Sequence, residues 1–374
     1  VKFTHAASAG ALALVAALAL SSCASTPSTP AASNTPKASS AAIDKNLTGT
    51  ITAGGSSAQA NAEAAWIAAF KTQAAGVTIN YDKSQGSGGG VTNWLAGSYD
   101  FAGSDSPLSP VQQTAAATLC GAGGALNLPV YLDGVAIVFN LTGVSKLNLS
   151  SATVAKIFSL QVKTWNDPAI AADNPGVTLP ATAITTVTRS DGSGTTQNFT
   201  NYLSTVQPTV WTSPASNKWP IAGSSAQQGG SGVVNTVKAG NGTIGYADHS
   251  AIGTLTAASI QVGTDKDFVA FSPKGATNAF TAAAVAAPTT VKGDLAQKLD
   301  YTKITDKSAY PIPLVSYQIV CSAFKTPAQA KLVKAYVGYI ASDIGQKITA
   351  ANAGSAPIPA SMLASIQKSL ALVK

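Results

Sequence analysis

The chain has 374 residues, long for one compact domain and comfortable for two. Hydrophobic residues make up 45%, enough for a sizeable core, while charged residues reach only 10% and leave the surface to neutral polar side chains. The net charge is +7, yet every basic residue except Arg189 is a lysine and none forms a run or stripe, which argues against a nucleic-acid partner. The lone arginine stands out as a candidate anion ligand.

In chain order, Val1-Lys2-Phe3-Thr4-His5 places one lysine ahead of an Ala/Leu/Val-rich stretch that ends at Leu20. That stretch falls short of the roughly 20 apolar residues needed to cross a bilayer, and residues 1–22 are expected to be a signal peptide. Leu20-Ser21-Ser22-Cys23 resembles the lipobox of bacterial lipoproteins, which implies a diacylated Cys23; the alternative is an ordinary secretory peptide with an incidental cysteine. Residues 24–45 are rich in Ser, Thr, Pro, Ala and Asn and read as a flexible tether. Export permits disulfides, and with Cys23 assigned to lipid a single pair remains, Cys120 and Cys321, either bridged or present as buried thiols.

Beyond the tether, Gly49 to Ala53 reads as a strand, followed by a small-residue turn Gly54-Gly55-Ser56-Ser57 and apolar residues at helical spacing from Ala62 to Phe70. Val77 to Tyr81 is a second strand, Gly86 to Gly90 a second turn, and Val91, Trp94 and Leu95 open a second helix. Strand, small turn, helix is the α/β unit, here met twice. A third strand, Tyr99 to Ala102, closes on Gly103 to Pro107, and Val135 to Asn140 is a buried strand followed by a helix from Ala152 to Phe158. Ile184 to Val187 is a strand running into Arg189 to Thr195, with a helix from about Thr196 to Leu203. Ile244 to Ala247 is one more strand, residues 254–300 are weakly patterned, Ile312 to Phe324 is strand-like, and Pro327 to Ser342 is helical.

Gly54 to Ser57, Gly86 to Gly90 and Gly192 to Thr195 each join a strand to a helix. Helix N-termini present unpaired N–H groups and the positive end of the helix dipole, glycine permits close approach, and hydroxyls add donors, so an oxyanion is the natural ligand. Taken one at a time, the same residues also serve as caps and turn formers. No P-loop lysine pattern and no complete dinucleotide fingerprint is present, which points to a small free anion and to no cofactor.

Four motifs carry a resemblance over about residues 48–374: Ala53-Gly54-Gly55-Ser56-Ser57, Gly86-Ser87-Gly88-Gly89-Gly90-Val91, Asp100 to Ser109, and Arg189-Ser190-Asp191-Gly192-Ser193-Gly194-Thr195. They resemble the PstS family, phosphate-binding proteins that serve a Pst-type ABC importer. The resemblance implies an α/β, two-lobed periplasmic-binding-protein-like fold of class II type with a ligand cleft between the lobes. Residues 46–130 plus 311–374 are expected to form lobe I and residues 131–310 lobe II, following the tether of 23–45. Dehydrated phosphate would be held by Ser56 through hydroxyl and backbone, by the backbone N–H of Ser57, and by Ser87. Asp105 would accept the phosphate proton, Arg189 would be the charged donor, and Ser193, Gly194 and Thr195 would close the shell. Asp191 would hold Arg189 in place. The implied partners are the permease and ATPase subunits of the importer and, through a lipid anchor, the outer face of the cell membrane. One departure is Ser57-Ala58, where the family often has an aromatic residue and then proline.

The selectivity has a physical basis of its own. An acceptor-only carboxylate beside an anion is repelled unless a proton lies between them; phosphate carries one near neutral pH and sulfate does not. An enzyme is the competing class, a phosphatase or phosphoryl-transfer protein on the same cradle. With only His5 and His249 available, and no convincing metal spacing, that reading is weak: His249 in Asp248-His249-Ser250 reads as a turn or surface residue rather than a triad member. A binder of another oxyanion or a surface adhesin on the same fold is a third class.

Overall fold

The computed structural model describes residues 43–264 and 267–374, with the side chain of Ala122 left aside. The leader, Cys23 and nearly all of the tether lie outside the described residues.

The chain opens with β1 (Thr48–Gly55), α1 (Ala60–Gln73), β2 (Gly76–Asp82), α2 (Gly86–Leu95), β3 (Phe101–Ser104) and α3 (Pro110–Cys120). Both β2 and β3 pair with β1 in parallel, as two successive strand-helix-strand units require. The long strand β4 (Ala125–Asn140) follows, then β5 (Asn148–Leu149), α4 (Ser151–Phe158), α5 (Pro168–Asp173), β6 (Thr185–Arg189), α6 (Gly194–Val206), β7 (Ser225–Gln227), α7 (Gly229–Ala239) and β8 (Thr243–Asp248). Short strands β9 (Thr256–Ala257), β10 (Ser259–Gln261) and β11 (Phe268–Val269) lead to α8 (Pro273–Ala283) and the hairpin β12 (Ala284–Ala286) and β13 (Gln297–Leu299). The chain ends with β14 (Pro313–Cys321), α9 (Pro327–Ile340), α10 (Asp343–Ala353) and α11 (Ala360–Ala371).

The main sheet has the order β2-β1-β3-β14-β4-β8-β6-β7, with β9 also on β4. Two strands make its centre. Residues 125–134 of β4 pair antiparallel with β14, and at Val135 the strand changes partner and runs antiparallel to β8 through Asn140. Nearly every residue of β4 and all of β14 are buried, as expected of strands covered on both faces.

The apolar run Val135 to Asn140 is only the last third of β4, and the rest contains Pro129, a residue unusual in a central strand. The pairing explains the exception. The register between β4 and β14 shifts at Ser316/Tyr317, so that Tyr317 faces Pro129 and Ser316 faces Tyr131. A proline, which has no N–H to donate, is accommodated where the ladder is already irregular.

Two other boundaries move. Gly86 to Gly90 is no loop before a helix but the first turns of α2 itself, and α6 begins at Gly194 with Ser193 as its cap. Gly90 faces β1 so closely that a Cβ there would stand 2.3 Å from Gly55 Cα, which is why this position has no side chain. Among residues 254–300, the helix α8 is capped by Ser272 and carries Pro273 in its first turn, signals that a weak apolar pattern had obscured.

The largest buried cluster packs Trp66, Phe70, Trp94, Phe101 and Tyr336 around α1, α2, β3 and α9, while Phe158, Phe199, Trp219 and Tyr246 stack beside α4, α6 and β8. Cys120, at the end of α3, and Cys321, at the end of β14, are joined by a disulfide.

Candidate functional site

The site stands at the C-terminal ends of β1, β3, β6 and β8, where the helices α2 and α6 start. In open α/β sheets this edge collects ligand-binding loops, because each strand hands its chain to the N-terminus of a helix.

Asp105 follows β3 and is 3% exposed. Its Oδ1 accepts the hydroxyls of Ser56 and of Ser316, the latter at 2.7 Å, and its Oδ2 accepts Thr195 Oγ1 at 3.0 Å. Burial raises the Asp105 carboxyl above the usual carboxylate range, opposed by the Ser56, Ser316 and Thr195 hydroxyls and by the charge of Arg189. The backbone is tied as well: Asp105 N–H donates to Ser87 Oγ at 3.1 Å, and its carbonyl accepts Asn198 Nδ2 at 2.6 Å.

Arg189 ends β6 and is also buried. Its Nε reaches Asp191 Oδ1 at 2.7 Å and its Nη2 reaches Asp191 Oδ2, a two-point pairing that fixes the plane of the guanidinium. Burial pushes the Asp191 carboxyl up, but the hydrogen bonds and charge of Arg189, with the N–H of Gly229 at 3.0 Å, outweigh it and hold the group below its ordinary value. Tyr246 carries the same loop from behind: its hydroxyl is 2.6 Å from Thr196 Oγ1 and accepts Arg189 N–H at 3.3 Å.

The remaining expected residues converge on the same place. Ser193 is buried, and its Oγ accepts Thr196 N–H at 3.1 Å as the cap of α6. Gly194 lies against the other loops: a Cβ would come 2.6 Å from Ser87 Oγ and 2.7 Å from Asp105 Cβ. Ser87 is the second residue of α2, a helix with no side-chain cap. Ser57 accepts Gly230 N–H on its Oγ at 3.2 Å. The hydroxyl of Ser57 thus engages the start of α7, a contact that a backbone-only role did not include.

The sequence did not point to Ser316, Asn198 or Gln59. All three sit inside regular elements or next to one, without glycine or a turn signal to mark them, and only the register of β14 against β3 and β4 brings Ser316 to Asp105.

His249 stacks its ring on Phe271 with centroids 3.9 Å apart, and burial lowers its basicity. The neighbouring Asp248 accepts Ser250 Oγ at 2.6 Å, and burial raises its carboxyl to about 7. Among the described residues no group of three or more His, Cys, Asp or Glu is placed to hold a metal ion, and no helix is long and apolar enough to cross a membrane.

Comparison with known proteins identifies the family and the fold. The PBP superfamily domain matches residues 28–343. The chain is 37% identical over 291 residues to the phosphate-binding protein PstS 3 of Mycobacterium leprae, covering 77% of this chain and 78% of that one. The chain belongs to the PstS family of the PBP superfamily. Its relatives also include the phosphate-binding protein PstS 2 of Mycobacterium tuberculosis, 36% identical over 76% of each chain. Among solved structures, the phosphate-binding protein of Stenotrophomonas maltophilia superposes with a TM-score of 0.66 at 20% identity, covering 86% of this chain and 93% of that one. A putative phosphate ABC transporter substrate-binding protein from Clostridium perfringens, solved with bound phosphate, gives 0.59 at 16%, covering 83% and 100%. The fold is that of two α/β lobes with a curled sheet, of the class II binding-protein type.

Proposed function

We propose that this PstS-family chain binds inorganic phosphate outside the cytoplasmic membrane and delivers it to an ABC-type importer, acting as a solute-binding protein and not as an enzyme. The observation that carries the proposal is Asp105: a buried carboxylate, near the only arginine in the chain, that accepts hydroxyls from the turn after β1, from β14 and from the start of α6. Among the described residues its Oδ1 takes the hydroxyls of Ser56 and Ser316 and its Oδ2 that of Thr195, leaving on Oδ2 a lone pair for a proton brought by the ligand. Dibasic or monobasic phosphate supplies that proton; sulfate would set bare oxygen against bare oxygen.

In this reading Ser56, Ser57, Ser87, Ser193, Gly194 and Thr195 provide uncharged donors, Arg189 provides the charged one, and Asp191 fixes it. Pairing with Asp191 balances the Arg189 charge before an anion arrives. Lobe I would comprise residues 46–130 and 311–374 and lobe II residues 131–310, a division supported by the change of partner of β4 after Gly134. In this reading the hydrogen bonds from Gly88 N–H to the Gly192 carbonyl at 2.8 Å and from Gln228 Nε2 to the Ser84 carbonyl at 2.8 Å would hold the cleft between the lobes closed. Family membership supports an extracytoplasmic location; lipid attachment at Cys23 and docking on permease and ATPase subunits belong to the proposal.

Calorimetry on the purified chain, stripped of phosphate, provides the test. Phosphate is expected to bind one to one with sulfate ignored, and Asp105→Asn to lose that preference. Absence of phosphate binding in the wild-type chain would overturn the proposal.

A further inference from the structure

Ser316 stands in the interior of β14, fully buried, on the sheet side of Asp105. Its Oγ lies 2.7 Å from Asp105 Oδ1 and receives Gln59 Nε2 at 2.6 Å. The Gln59 amide is oriented from both ends. Its Nε2 also donates to the Tyr317 carbonyl at 3.0 Å, which can only accept, and its Oε1 accepts Gln318 Nε2 at 3.0 Å. Gln318 Nε2 donates in turn to the buried Glu63, whose other oxygen accepts Tyr336 OH at 2.6 Å. With Gln59 occupying a lone pair of the serine, the single Ser316 proton is directed at Asp105. Gln59 thereby serves the sheet instead of capping α1, which it precedes without a side-chain cap bond.

We propose that Ser316 is a specificity-determining residue of the anion site: as a one-way donor oriented by Gln59, it keeps Asp105 an acceptor and so sustains discrimination between oxyanions that carry a proton and those that do not. This rests on the phosphate reading. Ser56 and Thr195 also donate to Asp105, but both belong to the loops assigned to the anion, whereas Ser316 reaches Asp105 from the sheet. The titratable groups that face Asp105 are Arg189 from β6, which favours the carboxylate, and Asp248 from β8 and Tyr81 from β2. Glu63 of α1 lies further along the relay.

The sign of the effect follows from the chemistry. A protonated Asp105 becomes a donor and can serve an oxyanion such as sulfate. Rejection of sulfate should therefore weaken as pH falls through the titration of Asp105. Removing one donor to the carboxylate moves that titration upward, and a hydrogen bond to a charged group is strong enough to move it by about one pH unit.

The experiment is to measure phosphate and sulfate affinities of the full chain by calorimetry from about pH 4, near the ordinary carboxylate value, upward to about pH 8. In Ser316→Ala and in the nearly isosteric Ser316→Cys, the pH at which sulfate becomes admissible should rise by about one unit, while Ser316→Thr, which retains the hydroxyl, should keep the wild-type profile. Folding of each variant is checked by circular dichroism. Wild-type selectivity at every pH in a folded Ala or Cys variant would overturn the proposal, as would a proportionate loss of both anions with the midpoint unmoved, or a Thr variant that behaves like Ala. Failure of the phosphate reading is distinguishable, since the wild-type chain would then bind no phosphate at any pH.

Discussion

At the scale of single residues, the site depends on groups that exclude alternatives more than on groups that add attraction. Gly194 shows this most directly. It occupies the first position of α6, where alanine would ordinarily favour the helix by about 1 kcal/mol. In this structure a Cβ would meet Ser87 Oγ, Asp105 Cβ and Asp105 N within 3 Å. Gly194→Ala is therefore expected to hold the loops apart. Overpacking of this kind costs typically about 1–3 kcal/mol, so phosphate affinity should fall about tenfold or more, while the melting temperature of the ligand-free protein changes little. Calorimetry paired with thermal unfolding reads both quantities; unchanged affinity would mean that these loops do not need to close on the anion. Arg189 stood out in the sequence as the lone arginine, and Asp105 and Asp191 were singled out by the resemblance that their motifs carry. Ser316 was not, because a serine inside a buried strand carries no local sign of its partner.

Among the elements, α2 and α6 supply the positive ends that face the site, and β4 and β14 hold the molecule around it. The disulfide from Cys120 to Cys321 closes a separation of 201 residues and ties the end of α3 to the end of β14. In the chain-entropy view a long closed loop contributes typically about 2–4 kcal/mol by restricting the unfolded chain. Replacing both cysteines with serine should lower stability toward urea by about that amount and leave phosphate affinity unchanged, since β14 ends beside the start of β3 whereas Asp105 follows the end of β3. Loss of affinity in the double variant would show that the end of β14 is coupled to Ser316 and Asp105. The first two thirds of β4 were hidden in the sequence because they contain a proline that only an irregular partner strand accommodates.

Across the whole molecule, the buried acids set the response to pH. Glu63 is buried between Gln318 and Tyr336 with no cation among its bonded partners, and burial raises it from 4.5 to about 7; Asp248 is raised in the same way to about 7. A carboxyl whose folded pKa lies above its unfolded value binds more protons in the native state between the two. Its contribution to stability is complete below the unfolded value and declines as pH rises through the folded one. For Glu63 a shift of this size corresponds to about 3 kcal/mol. Stability to denaturant should accordingly decline from about pH 5 to about pH 8, and Glu63→Gln, which mimics the protonated acid, should flatten that decline and stabilise the protein at the alkaline end. Equilibrium unfolding at several pH values tests this, and an unchanged slope in the variant would show that Glu63 is ionised throughout.

The sequence by itself determined the α/β class, the strand-turn-helix units and the candidate loops now proposed to hold an anion, because all three are written in local signals: apolar periodicity, glycine and serine at turns, and a single arginine. Tertiary structure alone decided which groups stand behind those loops. Ser316 meets Asp105, Asn198 meets the Asp105 carbonyl, and Gly88 meets Gly192 only because strands and helices far apart in the chain share one edge of one sheet. Such contacts follow from register and close packing, which no short stretch of sequence encodes.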